Sequence, residues 1–170
     1  VAPIVHALGS KIQFVPHVMI HVGTITNCPN DNGDACHQSC TNNGRYCYPS
    51  FSTFSGANVV KENLRRLCIW KHYGQDTTTR EGGEIWWDYV TYFNDHCSST
   101  NESFASEKCI KEAYKHSHLS KAEEIEDCMK DSGGVDEDTP NALLDNELAL
   151  QKDYGIYSTP YIWIEHNSFM

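Results

Sequence analysis

Eight cysteines are the residues of this 170-residue sequence whose chemistry is easiest to define. They form an even set that is spread along the chain and absent from its last quarter: Cys28, Cys36, Cys40, Cys47, Cys68, Cys97, Cys109 and Cys128. Even sets of cysteines are typical of proteins that fold in an oxidising compartment, where thiols join as disulfides. We therefore expect four structural disulfides, although eight cysteines allow 105 pairings and the spacing alone selects none of them.

Two reactive uses of these cysteines fit the spacing less well. A redox dithiol needs a Cys-x-x-Cys pair at a helix N-terminus, where the helix dipole lowers the pKa of one thiol, whereas Cys36 and Cys40 are separated by three residues. A zinc site formed by His37 and the four cysteines between positions 28 and 47 would need two Cys-x-x-Cys-like knuckles, which this spacing does not provide. We therefore expect structural disulfides, no metal and no cofactor.

Charge and motif content narrow the function classes further. The chain carries 13 basic and 23 acidic residues, and its formal net charge of −10 repels phosphate backbones and anionic membrane surfaces. Nucleic acid is therefore not an expected partner. The acidic runs at 123–127 and 136–138 are typical of a solvated helix face and a solvated loop. The sequence lacks the Gly-x-Ser-x-Gly elbow that would indicate a Ser-His-Asp hydrolase. We expect a protein that is not an enzyme.

A glycosylation sequon and the hydropathy of the chain indicate its compartment. Asn101-Glu-Ser103 is such a sequon, and Asn101 is the predicted glycan site. Together with the cysteines it points to the lumen of the secretory pathway or the cell exterior. No apolar run approaches the roughly 18 residues of a membrane span, so we expect no direct membrane insertion by this segment. The apolar ends lead us to expect a fragment of a larger secreted or type I membrane protein.

The elements that must position these residues change character along the chain. Residues 11–22 are rich in β-branched and aromatic side chains and predict a strand that begins near Pro16, with His17 and His21 lining a surface. Residues 27–54 are too polar to make a core of their own and predict short turns held together by disulfides. Residues 58–153 then predict a mainly helical insertion.

Aromatic residues in the helical part raise the question of a recognition surface. Trp86, Tyr89 and Phe93 fall on one stripe of a predicted helix, which should be buried. Trp87 lies about 100° away around that helix, so it is either covered by a second element or exposed as a binding aromatic. We keep Trp87 and Tyr73, which begins the polar loop at 73–83, as the candidate binding residues.

Helix ends are predicted from capping residues. Two helices are expected at 103–115 and 121–130, the second opened by a capping box in Ser120-Lys-Ala-Glu123. A further helix should follow Thr139 and Pro140, which suit the cap and the first helical position, and should end near Gly155.

The same periodicity suggests two disulfide pairs. Cys109 and Cys128 point inward from helices that a short loop joins, so a Cys109–Cys128 bridge is our preferred pairing. Cys68 and Cys97 are the inward cysteines of the two preceding helices, so a Cys68–Cys97 bridge is the second.

The order of elements predicts an α/β fold. A strand, a long helical excursion and a Thr-Pro step before a strand at 157–165 is the order of a thioredoxin-like fold with a helical insertion, stabilised here by disulfides. In thioredoxin-like folds the proline before this strand is usually cis, because the cis form costs little for an X-Pro bond. Pro160 is the candidate, and a trans proline that begins an edge strand is the alternative. We expect residues 1–170 to form a single domain.

Several motifs together resemble one family. They are Phe14-Val-Pro-His17, the cysteine string from Cys28 to Cys47 with Asn43-Gly-Arg-Tyr-Cys47, Val59-Val-Lys-Glu-Asn-Leu-Arg-Arg-Leu-Cys68, Trp86-Trp-Asp-Tyr-Val-Thr-Tyr-Phe93 with Cys97, and the last two cysteines. This combination is similar to the central luminal region of the plant-type vacuolar sorting receptors. The resemblance implies a type I membrane receptor that carries soluble cargo from the Golgi to vacuoles, with this region as a thioredoxin-like contributor to ligand binding.

Three functions are then compatible with the sequence. The first is a non-catalytic luminal or extracellular module that binds a protein or peptide ligand and reaches a Golgi or prevacuolar membrane through segments outside this chain. The second is a structural subunit that binds like subunits in an extracellular filament or surface assembly. The third is a thiol-disulfide oxidoreductase whose dithiol lies upstream of Val1.

Overall fold

A computed structural model describes residues 7, 14–24, 28, 34–50, 54–74 and 83–158 of the chain. The elements of its first part are β1 (His21–Val22), α1 (Asp34–Ser39), β2 (Cys40–Thr41) and β3 (Tyr46–Cys47). The helices that follow are α2 (Gly56–Ile69), α3 (Glu84–His96), α4 (Asn101–Phe104), α5 (Glu107–His116), α6 (Ala122–Asp131) and α7 (Ala142–Tyr154). The described chain is therefore mostly helical with a small sheet.

The sheet is a small antiparallel one with the order β1-β3-β2. Strands β2 and β3 form a hairpin in which Cys40 lies opposite Cys47, and β1 pairs with the other edge of β3, with His21 opposite Cys47. A sheet of two-residue strands has too little area to be stable alone. It must therefore depend on the disulfides and helices around it.

The segment before β1 differs from the predicted strand. Among the described residues 14–22, the strand consists of His21 and Val22, although Val18 and Ile20 are buried as the alternation predicts. The backbone of Val18 is held by helix side chains instead: its N–H donates to Glu147 Oε2 at 2.9 Å, and its carbonyl accepts from Gln151 Nε2 at 3.1 Å. The periodicity identified the buried face but not these hydrogen-bond partners.

Two of the predicted helix starts are wrong, and one end is confirmed. Helix α6 has Lys121 as its N-cap without a side-chain cap bond, so the predicted capping box at Ser120 is not formed. Helix α7 is capped by Asn141, whose Oδ1 accepts from the N–H groups of Leu143 and Leu144 at 3.1 Å, rather than by Thr139. Asn141 is a strong cap because a short amide side chain reaches both N–H groups. The helix ends at Gly155 as predicted.

The core lies between the helices and includes the predicted aromatic stripe. Tyr89, Phe93 and Cys97 are fully buried, and Trp86 is 8% exposed. Trp87 is 9% exposed, because the ring of Phe14 covers it with ring centroids 4.9 Å apart. The alternative of an exposed Trp87 is therefore wrong, and the covering element is the segment that precedes β1.

All eight cysteines are paired, but not as the two preferred bridges predicted. The disulfides are Cys28–Cys36, Cys40–Cys47, Cys68–Cys128 and Cys97–Cys109. The prediction assumed that helices adjacent in sequence face each other, whereas α2 packs along α6 and α3 packs along α5. The inward direction of each thiol was correct, and the choice of the facing helix was wrong.

A buried ion pair lies within α2, and the hydroxyl of Tyr89 connects it to α3. Arg65 Nη1 lies 2.8 Å from Glu62 Oε2, and both side chains are almost fully buried. Glu62 also accepts from Arg66 Nε at 3.0 Å and from the hydroxyl of Tyr89 at 3.3 Å. The Glu62 carboxylate is therefore well satisfied, whereas Arg65 Nε is buried without a hydrogen-bond partner among the described residues and lies 3.8 Å from Glu126 Oε1. Over the described ranges, no helix is both long enough and apolar enough to cross a bilayer.

Candidate binding cleft

An open cleft of about 410 Å³ lies between the β2–β3 hairpin and α7. One wall is formed by the turn of the hairpin and by the end of β1, and the other by α7 and the loop before it. Its lining residues are Val22, Gly23, Thr24, Asn43, Gly44, Arg45, Tyr46, Asp138, Asp145 and Leu148. Cavities of this size are large enough to hold a few side chains of a peptide or a small ligand.

The hairpin turn that forms one wall has an unusual backbone. Asn42, Asn43 and Gly44 all have left-handed φ values, of 50°, 54° and 83°. Asparagine and glycine are the residues that adopt this conformation at low cost, which explains the Asn-Asn-Gly sequence. The disulfide between Cys40 and Cys47 closes the hairpin at the base of the turn. The turn is therefore constrained by its backbone and by a covalent bond.

Asn42 fastens the turn to the loop between α6 and α7. Its side chain is buried and donates through Nδ2 to the carbonyls of Gly134 at 3.1 Å and Thr139 at 2.9 Å, while its backbone N–H donates to Val135 at 3.3 Å. Asn42 Oδ1 is buried without a hydrogen-bond partner among the described residues. Three donated bonds across the interface hold the two walls of the cleft at a set distance.

Gly23 lets β1 approach the same turn. A Cβ atom at this position would lie 1.5 Å from the carbonyl oxygen of Gly44, so no other residue fits. The Gly23 N–H donates to the carbonyl of Arg45 at 3.2 Å. This contact extends the pairing of β1 and β3 by one residue and closes one end of the cleft.

The rim of the cleft carries an exposed ion pair. Arg45 Nε donates to Asp138 Oδ1 at 3.1 Å, and Asn43 Nδ2 donates to Asp138 Oδ2 at 3.1 Å. Arg45 and Asp138 are each about half exposed, so water competes with their interaction and their contribution to stability is small. Their charged groups are therefore accessible from the solvent side of the cleft.

The floor of the cleft is set by Tyr46. Its ring is buried, its hydroxyl donates to Asp145 Oδ1 at 2.7 Å, and it accepts from the N–H of Asn141 at 2.7 Å. Burial, together with the hydrogen bond and the charge of Asp145, raises the pKa of Tyr46 to about 12, so the phenol stays neutral at physiological pH. The Tyr46 hydroxyl is thus already engaged by Asp145 and Asn141, and the apolar side chains of Val22 and Leu148 also line the cleft. This arrangement can bind a ligand by shape and apolar contact.

A family model described as the vacuolar sorting receptor thioredoxin-like domain matches residues 3–169. The chain belongs to this family. Vacuolar-sorting receptor 1 of Pisum sativum is 34% identical over 156 residues, and vacuolar-sorting receptor 7 of Arabidopsis thaliana is 32% identical over 154 residues. Each alignment covers 86% of this chain and 22% of the relative. The sorting-receptor domain therefore spans about a fifth of the length of the curated relatives that it matches, and the predicted resemblance is confirmed.

Neither the cysteines nor the candidate binding residues of this sorting-receptor domain line the cleft. All eight cysteines are in disulfides, four of them in the cysteine-rich segment and four in the helical region. Trp87 is buried in the core, so a direct contact with a ligand would require its side chain to be uncovered. Tyr73 is half-buried against the same core, and its hydroxyl has no hydrogen-bond partner among the described residues. Neither residue lines the cleft.

The other predicted sites have different outcomes. Asn101 is exposed at the start of α4, where its Oδ1 accepts from the N–H of Ser55 at 2.9 Å and from Asn58 Nδ2 at 3.2 Å. Its glycosylation stays a prediction. His17 is half exposed and paired with Glu147, as expected of a surface histidine. Pro160, most of the strand at 157–165 and most of the loop that follows Tyr73 lie outside the described residues.

Sequence reasoning missed the cleft because its walls are distant in the chain. Arg45 and Asp138 are 93 positions apart, and each alone is an ordinary surface charge. The one local signal was Asn43-Gly-Arg-Tyr-Cys47, whose Asn-Gly step is typical of a tight hairpin turn.

Proposed function

We propose that this chain is the non-catalytic, thioredoxin-like module of a sorting receptor and that it contacts protein cargo in the cleft between the β2–β3 hairpin and α7. The match to the family model and the relatives, which are vacuolar-sorting receptors, support the receptor role. The observation that carries the assignment of the site is the cleft of about 410 Å³, which is lined in part by apolar side chains and carries a half-exposed ion pair at its rim.

The chemistry of the cleft suits an extended peptide. Val22 and Leu148 offer apolar contact area, whereas Arg45 offers donors and Asp138 offers acceptors for a peptide backbone or a polar side chain. Because disulfide and hydrogen bonds hold its walls before a ligand binds, little conformational entropy is lost on binding.

The finer architecture belongs to the same proposal. Residues 1–170 would form one thioredoxin-like α/β domain, in which a strand at 157–165 follows a cis Pro160. The small sheet next to the N-terminal segment and the helical insertion after it support this topology. The module would work in the lumen of the secretory pathway and reach the prevacuolar compartment through other parts of the receptor. Four disulfides are consistent with that oxidising environment.

A pair of double variants tests the site. Arg45→Ala with Asp138→Ala removes the ion pair at the rim, leaves the net charge unchanged, and should cost little stability because both groups are about half exposed. Binding of this chain to immobilised soluble vacuolar proteins from its source organism should weaken about tenfold, as expected for the loss of roughly 1.4 kcal/mol of binding free energy.

The matched control removes an ion pair of the same kind elsewhere. Lys111 and Glu107 are an exposed pair on α5, at 3.5 Å, and do not line the cleft. Lys111→Ala with Glu107→Ala should bind the cargo proteins as tightly as the parent. If the rim variant also binds like the parent, the cleft assignment is wrong, and if the parent chain binds no vacuolar protein at all, its role in cargo recognition is wrong.

A further inference from the structure

The two disulfides of the cysteine-rich segment touch each other. Cys40 Sγ lies 3.0 Å from Cys28 Sγ, although each of these atoms is bonded to a different partner. Neither sulfur carries a hydrogen, so the contact is a direct approach of two disulfides. The sulfurs of Cys28, Cys40 and Cys47 all lie within 4.8 Å of one another, and the four cysteines form a buried cluster separate from the main core.

This placement has a chemical consequence that isolated disulfides lack. A thiolate attacks a disulfide sulfur, forms a new bond to it and expels the other sulfur, and the rate depends on how close the attacking thiolate is. When the Cys28–Cys36 bond is broken, the Cys28 thiolate is already in contact with Cys40 Sγ of the second disulfide. The disulfides of the helical region are not part of this sulfur cluster.

The cluster has an outer and an inner side. Cys36 is 9% exposed on the short helix α1 next to the exposed His37 and Gln38, whereas Cys47 is fully buried in β3. Among the four sulfurs, an external thiol therefore reaches Cys36 most readily and Cys47 least readily.

We propose that these four cysteines form one redox site, a substrate for a partner dithiol of the Cys-x-x-Cys class, in which reduction at Cys36 is passed inward to Cys47. The first partner thiolate attacks Cys36 Sγ, forms a mixed disulfide and expels the Cys28 thiolate. The Cys28 thiolate attacks Cys40 Sγ, so that a Cys28–Cys40 bond forms, the Cys40–Cys47 bond breaks and Cys47 leaves as a thiolate that takes a proton.

The second thiol of the partner completes the reaction. It attacks the mixed disulfide and releases Cys36 as a thiol, which leaves the partner as a disulfide. Two electrons and two protons pass from the partner to the protein, and the surviving bond joins Cys28 to Cys40. Cys47, which lies in the hairpin that forms a wall of the cleft, is then a free thiol. The proposal does not depend on what binds in the cleft.

Limited reduction of the whole chain tests this route, with dithiothreitol as the dithiol. Samples taken at increasing reductant concentration are blocked with N-ethylmaleimide, and disulfide-linked peptides are mapped by mass spectrometry without further reduction. In molecules that have lost one disulfide of the cluster, we expect label on Cys36 and Cys47 and a peptide linked through Cys28 and Cys40. Label on Cys28 and Cys36 with the Cys40–Cys47 bond intact would overturn the proposal, as would label on Cys40 and Cys47 with the Cys28–Cys36 bond intact.

Two single variants provide a second measurement. Cys36→Ser leaves the Cys28 thiol beside the second disulfide, and the label should be shared between Cys28 and Cys47. The matched control is Cys109→Ser, which leaves a Cys97 thiol in the helical region, where the label should stay on Cys97. Label on Cys28 alone in the first variant, or equal redistribution in the control, counts against the transfer. If Cys36→Ser does not fold, the mapping of the parent chain decides.

Discussion

In the cysteine-rich region, described at residues 28 and 34–50, the separate buried cluster consists of four cysteines. In the helical region, residues 54–154, a cluster of aromatic and aliphatic side chains fills the space between helices, and it takes in Tyr46 of the hairpin. The disulfides differ in the same way: those of the first region span 8 and 7 positions, whereas those of the second span 12 and 60. Local covalent bonds order the first region, and apolar burial orders the second.

Because of this difference, the two regions should respond differently to reduction of their disulfides. A region whose apolar interior is mainly sulfur has little other burial to replace a broken bond, whereas the helical region keeps its packed side chains. The cleft lies where the two regions meet, with one wall from each. Its geometry therefore depends on both kinds of order.

Complete reduction without denaturant should have the largest effect and tests the comparison directly. Each lost bridge typically costs about 2 to 5 kcal/mol, so the region without an apolar core of its own should open first. We expect hydrogen exchange measured by mass spectrometry to show loss of protection at residues 36–48 at a lower phosphine concentration than in α2 and α3. Simultaneous or earlier loss of protection in α2 and α3 would contradict the comparison.

Trp87→Ala should have the next largest effect, within the helical region. Trp87 packs against Phe14 and against Trp86, with ring centroids 4.9 Å and 4.8 Å apart, so truncation leaves a cavity and should cost about 3 to 5 kcal/mol of unfolding free energy. Chemical denaturation measures this cost. The control is Tyr157→Ala, whose side chain is 81% exposed and should change stability by less than about 0.5 kcal/mol. Equal shifts for the two variants would mean that Trp87 is not a core residue.

Glu62→Gln should have a somewhat smaller effect and tests the polar part of the helical core. The substitution leaves the buried Arg65 guanidinium without its closest carboxylate, which should cost roughly 3 kcal/mol. Glu107→Gln removes the carboxylate of the exposed pair with Lys111 and should cost less than about 0.5 kcal/mol. Both are read from denaturation midpoints, and a cost for Glu62→Gln as small as that of the control would show that water reaches this pair.

His17→Gln should have the smallest effect, confined to acidic pH. The hydrogen bond and charge of Glu147 hold the pKa of His17 above its ordinary value of 6.5, against the opposing effect of burial. The stabilisation is therefore fully present below pH 6.5 and is lost as pH rises through the raised pKa. Because His17 is half exposed, we expect less than about 1 kcal/mol.

Unfolding free energies of the parent and His17→Gln at pH 5 and pH 8 measure this difference. Glu147→Gln should abolish the same pH-dependent increment, since it removes the partner. A difference between parent and His17→Gln that is the same at both pH values would rule out this ion pair as its source.

The elements that local patterns determine could be predicted from the sequence. The stripe through Trp86, Tyr89 and Phe93 is buried because helical periodicity places these residues on one face. The end of α7 at Gly155 follows from the left-handed conformation that glycine adopts readily. The pairing of all eight cysteines could be expected, because an even number of cysteines in this context indicates an oxidising compartment.

Features that depend on which helices and strands pack against each other could not be predicted from local patterns. Periodicity directs Cys68 and Cys109 inward, but the bridges follow from the packing of α2 on α6 and of α3 on α5. Trp87 lies off the buried stripe of Trp86, Tyr89 and Phe93, and its burial depends on the ring of Phe14, which packs over it. The rim of the cleft likewise joins Arg45 and Asp138, whose separation in the chain hides their contact.

Glu147 and Gln151, one helical turn apart on α7, take the place that a neighbouring strand would occupy beside Val18. Strand pairing uses backbone groups that are present whatever the side chains are, whereas these two hydrogen bonds depend on the identity of two side chains. Point substitutions on α7 can therefore strengthen or weaken the attachment of the segment before β1 without changing any strand residue.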